Sequence, residues 1–201
     1  MNNEAIISSI DSLKAVYTVL LVLSLGEAFS QLVERGQAND AEWEIKSDRI
    51  LNLVPFLLLI VPFIQGMDRY FFVVYKSPSR PGLYGGSLLL DCIAFTLEGG
   101  LFFILARSLS LLKWKRFYTT VIVLLALDAV WGVIVWLLHL PAIPSWLILD
   151  IGAGLLIAAV CFIPFHNDDN SLAHPIICLF IILARTIADY YFSWNFYFPS
   201  S

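Results

Sequence analysis

Arg185 and Asp189 are the residues from which a chemical role is most directly argued. They stand in the apolar run Leu179-Phe-Ile-Ile-Leu-Ala-Arg-Thr-Ile-Ala-Asp-Tyr-Tyr-Phe192, and a helix places positions four apart on one face. A charge inside a bilayer is costly, so such residues face a bundle interior or a wet cavity and pair there. Glu98 and Asp128 lie deep in two other apolar runs, and Asp68, Arg69, Asp91 and Asp150 lie nearer the ends of theirs. The acids within apolar runs are Glu27, Asp68, Asp91, Glu98, Asp128, Asp150 and Asp189; the bases are Arg69, Arg107 and Arg185. Pairing cannot neutralise that set. The surplus acids must carry protons or hold a cation, which is the signature of proton relays and cation pathways.

Two other readings attach to the same residues. Asp68, Asp91 and Asp150 also suit helix ends, solvated by headgroups and water. Glu98, Asp128 and the Arg185/Asp189 pair also suit hydrogen bonds that fix helix packing or an oligomer.

The elements that position these groups follow from composition. The 201 residues are 59% hydrophobic and 14% charged, with mean hydropathy +0.81. A soluble domain is about 45–50% apolar and about 25% charged. The expected fold is therefore all-α, a polytopic integral membrane bundle forming a single domain over residues 1–201. A span needs about 20 mostly apolar residues, and six segments qualify: 14–33, 50–72, 86–106, 117–138, 146–165 and 175–198. Glu27 interrupts the first, which also leaves open a four-span core with two peripheral helices. Residues 1–14 have no basic region ahead of the apolar run, so the first segment is expected to be a retained helix. Pro55 and Pro62 fall inside the second segment and are expected to kink it.

Alternating span directions convert position into depth. With the N-terminus on side A, the intervening Lys and Arg residues are Lys14, Arg69, Lys76 and Arg80 on side A, against Arg35, Lys46, Arg49, Arg107, Lys113, Lys115 and Arg116 on side B. The positive-inside rule favours side B as cytoplasmic. Asp68, Arg69, Asp91, Asp150 and Asp189 then fall toward side A, with Glu98, Asp128 and Arg185 near the midplane. Asp91 and Glu98, seven apart, share a helix face. A polar cavity opening toward side A is expected, with carboxylates at its rim and Glu98, Asp128 and Arg185 at its floor. The aromatic run Tyr190 to Phe198 reads as an interfacial belt. Asp68-Arg-Tyr-Phe71 and Asp189-Tyr-Tyr-Phe192 share a short pattern, too short to establish a repeat.

Other chemistries find no support. Net charge is −4, so no basic surface for nucleic acid is expected. Cys92, Cys161 and Cys178 form no CxxC or zinc spacing. His139, His166 and His174 fall in expected turns, away from the acids. Gly99-Gly100 and Gly152-Ala-Gly154 suit close helix contact and lack phosphate-loop spacing. Neither a metal nor a cofactor is expected.

The composition points to a small ion-conducting or transporter-like subunit, multi-pass in a bacterial inner membrane or its equivalent. Its partners would be membrane lipids and further copies of itself. A second reading is a non-catalytic anchor, sensor or effector of a multi-protein system such as defence, docking a soluble protein at Lys113, Lys115 and Arg116. A third is an intramembrane lipid-modifying enzyme, with Glu98 or Asp128 as base and Arg185 on an anionic headgroup.

Overall fold

In the first helix, Ile10, Leu13, Tyr17, Leu21, Ser24 and Ala28 are buried, while Val16, Val19, Val22, Leu23 and Phe29 are exposed. The buried positions step by three and four, the spacing of a helix with one packed seam. An apolar outer face on a helix of this length faces lipid. The computed structural model describes residues 3–35, 43–76, 86–138, 144–162 and 172–199. Its helices are α1 (Asn3–Leu32), α2 (Ser47–Phe71), α3 (Gly86–Ala106), α4 (Trp114–Leu137), α5 (Pro144–Phe162), α6 (Ala173–Phe192) and the short α7 (Trp194–Tyr197). Six are long and apolar enough to span a membrane, and the chain is a multi-pass helical bundle.

Several boundaries differ from the sequence reading. Glu27 does not break α1, because Gln31 Nε2 donates to its Oε1 at 3.0 Å and Arg107 lies 3.6 Å away. The last span ends at Phe192, short of residue 198. Ser193 N–H still bonds Asp189 O at 2.9 Å, but the chain then turns into α7, and Arg69 Nε donates to Phe196 O at 2.9 Å. Between α1 and α2 lies a hairpin the sequence reading did not include, β1 (Val33–Arg35) against β2 (Trp43–Ile45), antiparallel with Glu34 opposite Glu44. His174 is in the first turn of α6 and stacks on Trp114, ring centroids 5.3 Å apart. Arg80 and the expected turns with His139 and His166 lie outside the described residues.

The prolines leave α2 unbroken. Pro62 supplies no N–H to the Leu58 carbonyl four residues earlier. Thr186 Oγ1 of α6 donates to that carbonyl at 3.1 Å, so the freed acceptor becomes a cross-helix bond. α1 packs on α3 at Gly99, where an added Cβ would come within 3.0 Å of Leu20. That approach sets α1 close behind the face of α3 that carries Glu98.

Candidate polar cavity

Arg185 anchors the site. Its Nε and Nη2 donate to Asp150 Oδ1 at 2.9 and 2.6 Å, and its Nη1 donates to Asp189 Oδ2 at 3.3 Å. Its guanidinium carbon lies 6.0 Å from the Phe63 ring centre, within cation–π reach. The sequence reading paired Arg185 with Asp189 on its own helix; the shorter contacts are to Asp150 on α5. Arg185, Asp150 and Asp189 are all buried, so this triad ties α5 to α6 through charge-assisted bonds.

Asp189 also accepts from the Tyr197 hydroxyl at 3.0 Å. This is the role of the turn after Phe192: it folds α7 back so that one ring of the expected belt enters the interior. Burial first, then the Asp189 charge, pushes the Tyr197 phenol above its ordinary pKa, so its proton stays available to donate. Trp146 closes over it, its ring 4.8 Å from Phe196 and 6.2 Å from Tyr197. Tyr191, Phe192, Trp194 and Phe198 remain exposed and form the belt proper. Gly66 lies directly beneath the fold-back, where a Cβ would sit in ordinary contact 3.7 Å from the Tyr197 hydroxyl.

Glu98 and Asp128 join Arg185 and Asp189 around one cavity of about 40 Å³, walled by rings that include Phe95, Trp131 and Trp146. One water needs about 10–15 Å³ on this scale, so the space suits a few small molecules. Glu98 is 1% exposed. Its Oε2 accepts from Tyr17 of α1 at 3.3 Å; its Oε1 has no hydrogen-bond partner among the described residues. The same holds for Asp189 Oδ1 and Asp150 Oδ2. Asp128 is half-buried, in electrostatic reach of Asp150, Glu98 and Arg185. Four carboxyls thus share one guanidinium.

Asp91 stands apart. It is fully buried, and its Oδ1 accepts from Trp131 Nε1 at 2.9 Å and Tyr70 at 3.3 Å. Its Oδ2 accepts from Tyr75 at 2.5 Å. Tyr70 and Trp131 also line the cavity, so Asp91 lies behind its wall. Asp68 is not brought to the cavity: it pairs with Lys14, with side chains 49% and 40% exposed. Arg69 is half-buried, on Phe196 O and 5.3 Å from the Phe72 ring. The D-x-Y-F echo therefore places Asp68 at the surface and Asp189 in the interior, which are not equivalent positions. Lys113, at the end of the α3–α4 link, and Lys115 and Arg116, in the first turn of α4, are exposed.

The Tyr17 and Tyr197 donors and the Trp146 lid were not read from the sequence. Tyr17 carried a signal, since it falls on the packed seam of α1. Among the described residues, no three His, Cys, Asp or Glu side chains come together as metal ligands. No family model matches the chain, and no curated protein or solved structure matches it either.

Proposed function

We propose that this membrane protein is a transporter-like or ion-conducting subunit that passes protons or small cations through the Glu98, Asp128, Arg185 and Asp189 cavity. One observation carries the reading: Glu98 and Asp128 face the same space while the only guanidinium lining it among the described residues is already held by Asp150 and Asp189. The Arg185 triad is the fixed frame. Glu98 and Asp128 are the exchangeable positions, because an unbalanced buried carboxylate drives uptake of a proton or cation. The exposed basic link supports side B as the cytoplasmic face, with the cavity toward the opposite side.

The test is flux into liposomes containing the purified chain, followed with an internal pH dye and with tracer cations. Wild type should dissipate an imposed gradient, and Glu98→Gln and Asp128→Asn should each slow it at least tenfold. Wild-type rates equal to those of empty liposomes remove the proposal. Arg185 is not open to an anionic headgroup, which tells against a lipid-modifying enzyme.

The exposure of Lys113, Lys115 and Arg116 favours one second reading, a subunit that docks a soluble partner at this link. It predicts that neutralising all three abolishes co-purification of a stoichiometric partner while leaving the thermal midpoint of the chain unchanged. Full activity in wild type purified alone rejects it.

A further inference from the structure

We infer that the cavity binds a small ammonium-type cation bearing N–H groups, of the size of ammonium to dimethylammonium, in preference to Na⁺ or K⁺. The inference rests on the cavity reading above and names the class of ion it takes.

The acceptor set comes first. Glu98 and Asp189 are each 1% exposed and both line the cavity; Glu98 has one buried oxygen without a hydrogen-bond partner among the described residues, while the Trp146 indole faces Asp189. These are strong acceptors in a site where an unmet hydrogen bond is costly. Asp128 adds a third carboxyl to the lining. Arg185 does not compete, since its donors already engage Asp150 and Asp189.

The rest of the wall selects among cations. A hard metal ion wants a convergent shell of oxygens. The described carboxylates do not converge in that way. Between the acids the surface is instead aromatic, with Phe95, Trp131, Trp146 and Tyr197. Ring faces attract a weakly hydrated organic cation and serve desolvated ammonium groups well. The volume of about 40 Å³ holds two or three heavy atoms by the water measure. An N–H-bearing cation of that size can donate to the bare Glu98 oxygen and rest its carbon on the rings. Tetramethylammonium is too large for the space and has no N–H to offer.

The measurement is calorimetric titration of the full chain in lipid nanodiscs with methylammonium chloride. NaCl, KCl and tetramethylammonium chloride are titrated in parallel at matched ionic strength and pH. The expected result is saturable methylammonium binding at least tenfold tighter than Na⁺, K⁺ or tetramethylammonium. Glu98→Gln should weaken it at least tenfold, about 1.4 kcal/mol, and Trp146→Leu should weaken it severalfold without removing a carboxyl. No saturable heat, or equal affinity for Na⁺ or tetramethylammonium, overturns the inference. Binding is read without a gradient. A protein that binds methylammonium but carries nothing fails only the transport proposal; one that moves protons but does not bind methylammonium fails only this one.

Discussion

Asp91 and Glu98 lie seven residues apart on the same face of α3, and both are buried in a membrane-spanning helix. Their surroundings are opposite. Asp91 receives Trp131, Tyr70 and Tyr75, so both of its oxygens are engaged. Among the described residues Glu98 receives only Tyr17, at 3.3 Å, and keeps one oxygen bare beside a cavity. A fully satisfied buried polar group rigidifies a structure; a partly satisfied one is costly and is kept for some other use. Residue type and burial are nearly the same at the two positions, with Glu98 about two turns further along the helix. The number of donors delivered by neighbouring helices separates a packing acid from an exchangeable one.

The frame that holds both sites should be the most sensitive. Arg185→Leu removes the only guanidinium among Asp150, Asp189, Asp128 and Glu98, leaving buried carboxylates uncompensated. Breaking a buried pair in this way costs about 3–5 kcal/mol, read as a large fall in thermal midpoint in detergent. A small change would mean that the triad is not the frame and would blur the distinction between the two acids.

Asp91→Leu should come next. It removes the acceptor of two hydroxyls and an indole N–H in the interior, at about 1 kcal/mol each or about 3 kcal/mol in total. Asp91→Asn restores an acceptor and should recover most of that loss. Liposome flux by Asp91→Asn should stay within about twofold of wild type, since the residue lies behind the cavity wall. A severe flux defect in a stable Asp91→Asn protein would erase the contrast with Glu98.

The contrast also marks what the sequence could say. Six spans were legible because a run of apolar residues must be helical in lipid, where every backbone group needs an internal partner. The depth of Glu98, Asp128 and Arg185 followed from counting along alternating spans. Which acid meets which donor was not legible, because it depends on helix rotation and neighbour order. Arg185 shows this: spacing made Asp189 its obvious partner, yet Asp150 on another helix is closer. Tyr197 shows it again, since an aromatic run near a helix end reads as a belt until Ser193 turns the chain inward. The hairpin at Val33–Arg35 and Trp43–Ile45 is three residues a side, too short for alternation to reveal.

A milder change probes the one donor that Glu98 has. Tyr17→Phe keeps the ring packed against Phe95, 5.3 Å away, and deletes only the hydroxyl. The loss of a single long hydrogen bond should cost about 0.5–1.5 kcal/mol. Tyr75→Phe, which removes the 2.5 Å contact to Asp91, should cost at least as much. If Tyr17→Phe proves the more destabilising, Glu98 depends on its partner more than the geometry indicates.

Glu98→Gln should have the smallest effect on stability, within about 0.5 kcal/mol of wild type. Glutamine keeps the shape, still offers an acceptor to Tyr17, and replaces a bare buried oxygen with a group that brings less charge into the interior. A buried charge without a full set of partners is a net cost, so removing it can even raise the thermal midpoint. Flux and methylammonium binding should nevertheless fall at least tenfold, because an amide neither takes up a proton at working pH nor attracts a cation. A thermal melt and a flux assay on the same preparation separate these effects. Retained stability with lost flux marks Glu98 as an exchange site whose local instability is kept for function. Lost stability with retained flux would make it a packing acid like Asp91, and the exchange would then have to rest on Asp128.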